Sequence, residues 1–161
     1  MELITIHLIL TCILLAAVFA APLITLTILA IHDWKTSTVI NWQLILFAVS
    51  LIPYAIFNWI ASADVLIFNI IFSAVFIGVA AVLMYTGKLA SGDGLMIIPA
   101  AAAFGSSTPI LIAGSLLFTA IFFFGRKREK KIPYAPGLLA AMAALLLPNI
   151  ITMLGTIPAI L

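Results

Sequence analysis

Only five acidic side chains occur in the 161 residues, at Glu2, Asp33, Asp64, Asp93 and Glu129. Asp93 stands between two glycines, Gly92 and Gly94, at the mouth of an apolar run within "KLASGDGLMIIPAAAAFG", and Asp33 closes the first apolar run of the chain. A pair of carboxylates can hydrolyse a peptide by dividing the work. The ionised one takes a proton from water, while the protonated one polarises the carbonyl and later protonates the leaving nitrogen. Two such acids held close share a proton, because both cannot ionise cheaply. Asp93 precedes a predicted helix, whose positive end favours the ionised form, whereas Asp33 follows a helix, whose negative end disfavours it. Asp93 is therefore expected to be the base and Asp33 the proton-bearing partner. Gly92 and Gly94 permit positive φ and close backbone approach on both sides of the acid.

The elements that must position these acids are apolar helices. Charged residues are 7% of the chain and hydrophobic ones 66%, with a mean hydropathy of +1.38, whereas soluble domains carry about 25% charged residues. No formal charge occurs in residues 3–32, 36–63, 65–87, 94–125 or 132–161, and a helix needs roughly 20 apolar residues to cross the hydrocarbon layer. The expected fold class is an all-α membrane protein, a single polytopic domain over 1–161 with about six transmembrane helices near 3–31, 42–61, 64–86, 94–107, 109–125 and 134–157. The first is longer than a bilayer requires, so it must tilt, kink or break at Pro22. The fourth is short, contains Pro99 and ends in "GSSTP", which reads as an irregular stretch buried in protein. Glu2 alone precedes the first apolar residues, so a signal peptide is not expected, although Val18-Phe19-Ala20 has the form of a cleavage site.

Orientation follows from the basic residues, which cytoplasmic loops retain. If the helices alternate in direction, the linkers after the first, third and fifth share one side, and these hold Lys35, Lys88 and "RKREKK" at 126–131. Both termini are then outside, Asp33 and Asp93 share the cytoplasmic face, and Asp64 lies opposite. Positive-inside anchoring accounts for the basic run, so no nucleic-acid partner is expected. Alanine clusters at 16–21, 100–103 and 140–144 suit close helix approach. Trp34, Trp42 and Trp59 read as interfacial anchors.

Three blocks add a family likeness. "ILAIHDWKTSTVIN" (28–41) resembles the segment of type IV prepilin peptidases and archaeal preflagellin peptidases in which an apolar helix ends in Asp, a basic residue follows two positions later, and Asn closes the stretch. "ASGD" (90–93) is similar to the GxGD signature of these intramembrane aspartic proteases, and "KKIPYAPGLLAAMAAL" (130–145) to the basic turn and Ile-Pro-aromatic-x-Pro that open their last helix. Ala90 stands where the first glycine of the signature is expected, Ile40 where proline commonly precedes the Asn, and Gly94-Leu95 where an aliphatic-Lys pair commonly follows. The resemblance implies a GxGD protease-like bundle in a prokaryotic cell membrane, with Asp33 and Asp93 as the catalytic pair and Gly92, Gly94, Lys35 and Asn41 as supporting positions. The implied activity is removal, at the cytoplasmic face, of the short basic leader from a pilin-like or archaellin precursor, with no cofactor. The zinc-binding extension that accompanies methyltransferase activity in larger bacterial members needs cysteines, and Cys12 is alone, so cleavage without N-methylation is expected.

Plainer readings stand beside this one. Asp93 serves equally as a cap of the fourth helix, and Asp33 as an interfacial charge beside Trp34 and Lys35. An alternative function is a small multipass transporter or assembly subunit using Asp33 and Asp93 as proton or cation sites, although such acids more naturally sit at mid-membrane or in repeated halves. His7 and His32 lack the acidic or sulfur partners of a recognisable ligand set, so no metal site is expected. His7 reads as a polar group between helices and His32 as an interfacial one.

Overall fold

The computed structural model describes residues 2–36, 38–123 and 133–160, and the basic run 126–131 with Glu129 lies outside them. Among the described residues six α-helices follow in order: α1 (Glu2–Thr36), α2 (Asn41–Ala61), α3 (Leu66–Tyr85), α4 (Ser91–Phe104), α5 (Thr108–Phe123) and α6 (Ala135–Ile160), with short 3₁₀ turns at Ala63–Val65 and Gly105–Ser107. The expected boundaries hold to within a few residues, except that α1 runs on past Asp33 and α4 begins before Asp93. α1 is one helix that carries Pro22 inside it. At 1.5 Å per residue its 35 residues span about 52 Å, so tilt or protrusion, rather than a break, accommodates its length.

Side-chain contacts fix the direction of each helix. Thr25 Oγ1 lies 2.8 Å from Ser50 Oγ, and Phe19 packs edge-on against Tyr54 and Phe57, so α2 runs back along α1. α4 runs parallel to α2: a Cβ on Gly92 would meet Val39 at one end, and Asn58 and Trp59 donate to the Ala103 and Ala102 carbonyls at the other. α6 is antiparallel to α1, with Ala135 beside Asp33 and Thr156 beside Cys12. α5 is antiparallel to α6, since Gly114 faces Ala141 and Gly137 faces Thr119. The chain therefore reverses between α4 and α5, and the helices alternate as the sequence anticipates.

Five helical stretches among the described residues are long and apolar enough to cross a membrane: Ile4–Thr36, Asn41–Ala61, Ala63–Tyr85, Ser91–Ile121 and Ala135–Ile157. The fourth contains α4, the 3₁₀ turn and α5, and its reversal makes it a hairpin. The 14 residues of α4 reach only about 21 Å, less than the roughly 30 Å of hydrocarbon, so six transmembrane helices become five apolar stretches. Large aliphatic side chains cover the outside, including Ile4, Ile45, Ile67, Leu116 and Ile151, while Asp33, Gln43, Asn69, Ser73, Thr108 and Ser115 are buried. Apolar outside with polar groups inside is the arrangement lipid demands, and the chain is a membrane protein. His7 departs from expectation: it is exposed among the described residues.

The hairpin turn has buried backbone to satisfy, because a helix leaves its last four carbonyls without internal partners. Ser73 and Thr108 both donate to the Ala101 carbonyl, at 2.9 and 3.3 Å, Trp59 serves Ala102, and Asn58 serves Ala103. Asn69 Oδ1 accepts the Ser106 N–H at 3.0 Å. Gly105 has φ +53° with Asn69 where its Cβ would stand, so no other residue fits the turn without strain. The stretch "GSSTP" is thus a capped 3₁₀ turn, held by polar side chains of α2 and α3. Trp59, expected as an interfacial anchor, is part of this cap.

Candidate functional site

The end of the bundle formed by the C-termini of α1 and α3 and the N-termini of α2, α4 and α6 gathers both candidate acids. Asp33 lies in the last turn of α1 and is only 4% exposed. Its Oδ2 accepts the Ala135 backbone N–H at 3.1 Å, across 102 residues of sequence. Ala135 is the first residue of α6, and its N–H is one of the donors a helix start leaves over. Asp33 therefore sits at the positive end of α6 as well as the negative end of α1. The helix-dipole argument that made it the proton-bearing partner counted only α1, and the two ends offset each other.

Asp93 occupies the first turn of α4, half-buried, with Ala90 as the helix cap and no side-chain cap bond. The plain capping role is therefore not what Asp93 performs. It is close enough to Asp33 for the two charges to interact. On its other side it lines a cavity of about 330 Å³ between α3, α4 and α5, otherwise walled by apolar side chains such as Phe76, Leu83 and Leu116, and by Tyr134.

The supporting positions divide. Gly94 is buried, and a Cβ there would overlap the Met84 side chain of α3; glycine lets α3 and α4 close on each other beside Asp93. A Cβ on Gly92 would make only ordinary contact with Val39 at 3.4 Å. Neither takes the positive φ the sequence suggested, because α4 starts at Ser91 and both are helical; among the described residues the positive-φ glycines are Gly87 and Gly105. Lys35 is exposed, beside Trp34, Pro136 and Leu139. Asn41 opens α2 and lines a separate apolar groove of about 550 Å³ against Leu95 and Pro99 of α4. Asp64 is exposed at the opposite end.

Three polar groups at this end escaped the sequence reading. Tyr134 is buried, and its hydroxyl lies 2.6 Å from Ser115 Oγ of α5, itself fully buried. Burial above all, with a smaller contribution from the Asp93 charge, holds the Tyr134 hydroxyl above its ordinary range against the Ser115 hydrogen bond, which pulls it down. The phenol thus keeps its proton. Gln43 is 6% exposed and its Oε1 has no partner among the described residues. Tyr134 stands in the quoted "KKIPYAPG" block, which carried a signal; Ser115 and Gln43 sit in apolar runs that gave none. Next to Asp33, His32 Nδ1 meets the Thr38 carbonyl at 3.0 Å and Thr36 Oγ1 at 3.2 Å, which ties down the end of α1. Among the described residues no three His, Cys, Asp or Glu side chains cluster as a metal set.

Comparison with family models, with curated proteins and with solved structures finds no match to the chain.

Proposed function

We propose that the protein is a membrane aspartic endopeptidase that removes the short basic leader of a type IV prepilin-like or prearchaellin precursor, as the motif resemblance implies. The observation that carries the reading is the convergence of Asp33 and Asp93, from helices distant in sequence, at one end of the bundle beside an apolar cavity. In the reaction water adds to the scissile carbonyl carbon. The ionised carboxylate takes the water proton, the other gives its proton to the carbonyl oxygen, and collapse breaks the C–N bond as a proton passes to nitrogen. The chemistry asks nothing more than two carboxyls on either side of one water, so the reading invokes no cofactor and no methyl transfer. The basic-residue rule favours a site at the cytoplasmic face with both termini outside, and the motif resemblance implies a prokaryotic cell membrane.

The transporter alternative gains little from the geometry, because both acids lie at one end of the bundle rather than at its middle, where carriers place their sites. The test is cleavage of a purified type IV pilin-like precursor by the detergent-solubilised protein, wild type beside Asp93→Asn. Leader removal by the wild type alone supports the protease; no cleavage by a folded wild type across several precursors sinks it and moves the ion-site reading ahead.

A further inference from the structure

Val79 of α3 and Leu116 of α5 both line the cavity beside Asp93 and are themselves 50% and 57% exposed, whereas Ala80, also in its lining, is only 3% exposed. Exposed residues on two of the helices that form a cavity mark its open side, and the outer surface here is the one that carries large aliphatic side chains toward lipid. The cavity is therefore open to the bilayer between α3 and α5 and closed around Ala80. Apart from Asp93, its described lining holds one polar side-chain group, the Tyr134 hydroxyl, which is engaged with Ser115. A charged or strongly polar occupant would give up water without gaining partners, so the cavity selects an apolar one. Its volume of about 330 Å³ exceeds the roughly 150 Å³ in which an apolar protein cavity holds a benzene ring. One large aliphatic or aromatic side chain fits.

On the protease reading, on which the inference rests, Asp93 acts at the scissile bond, so a side chain that fills the cavity belongs to a residue next to the cut. The leader on one side of the cut is basic, and lysine or arginine is what these walls exclude. The apolar side chain therefore comes from the other side, the start of the mature chain. We infer that the cavity is the specificity pocket for that residue, entered from the bilayer between α3 and α5, with Ala80 setting the size of the side chain it admits. Ala80 is part of the lining, so carbons added at position 80 take up pocket volume.

The experiment measures kcat/KM of wild type and Ala80→Leu, purified in detergent, on a type IV pilin-like precursor made with phenylalanine or alanine directly after the cut, and in a second pair directly before it. Wild type is expected to prefer phenylalanine after the cut by at least about tenfold, the worth of a few carbons in an apolar pocket, and Ala80→Leu to lower that ratio by at least about tenfold. Equal values for the two residues in wild type, an unchanged ratio in Ala80→Leu, or a preference for phenylalanine before the cut instead overturns the pocket while the protease stands. Should Ala80→Leu fail to fold, crosslinking decides. Leu116→Cys, in a Cys12→Ser and Asp33→Asn background that leaves the precursor uncut, is expected to form a disulfide with a precursor carrying cysteine directly after the cut. Absence of that disulfide under oxidising conditions overturns the pocket. No cleavage of any form by wild type removes the protease reading and this inference together.

Discussion

Asp33 does two jobs that separate by substitution. Its Oδ2 accepts the Ala135 N–H, which an amide oxygen can also do, but an amide cannot exchange a proton with water. Asp33→Asn is therefore expected to lose roughly 10²- to 10⁴-fold in precursor cleavage with little change in melting temperature. Asp33→Ala should be as inactive and lose about 1 kcal/mol of stability in addition. Parallel melting curves and cleavage rates in detergent check this, and an active Asp33→Asn would remove Asp33 from the chemistry. The glycines offer a second contrast. Gly94→Ala must displace Met84, with an overpacking cost of about 1–3 kcal/mol, whereas Gly78, in α3 with nothing within 4 Å of its Cβ position, should gain up to about 1 kcal/mol as alanine. Thermal unfolding of the two variants tests the sign of each. The sequence pointed to a special role for glycine around Asp93; the reason proved to be contact with α3 rather than backbone conformation, and contact across elements is not written in local sequence.

At the scale of elements, the α4–α5 hairpin carries Asp93 in its first turn and turns back at Gly105. Its turn is over-determined. The Ala101 carbonyl accepts the Gly105 N–H as well as the hydroxyls of Ser73 and Thr108, so Ser73→Ala or Thr108→Val alone should cost less than about 1 kcal/mol, and the pair about the sum, as the backbone bond stays in place. A double-mutant cycle by chemical denaturation in micelles measures this; a loss well beyond the sum would mean that the two hydroxyls substitute for each other. Gly105→Ala should be worse than either, since it meets both positive φ and the Asn69 side chain. The other element that matters is the first turn of α6, whose backbone and side chains touch the surroundings of both acids. Its composition, Pro-Tyr-Ala-Pro, announced a helix start, but no spacing rule could say which distant carboxylate would receive its free N–H.

For the whole molecule, alternation of the helices puts Lys35, Lys88, Asp33 and Asp93 at one end and Asp64 at the other. Single cysteines introduced at Ala63 and Lys88, in a Cys12→Ser background, should therefore react with a membrane-impermeant thiol reagent from opposite sides, with Lys88→Cys protected in intact cells. Labelling of both from one side would overturn the alternating arrangement. Asp64→Asn, exposed and remote from the pair, should leave cleavage unchanged. By itself the sequence determined a helical membrane chain, the approximate helix limits and the sharing of one end by Asp33 and Asp93, because these follow from apolar length and alternation, which are local properties added along the chain. Only the tertiary structure decided that α4 and α5 form a short capped hairpin, that Asp33 rests on the start of α6, and that Tyr134 and Ser115 stand beside the Asp93 cavity. Those facts depend on which faces of distant helices pack together, and in a chain apolar on almost every face the pattern of residues leaves that choice to the fit of side chains.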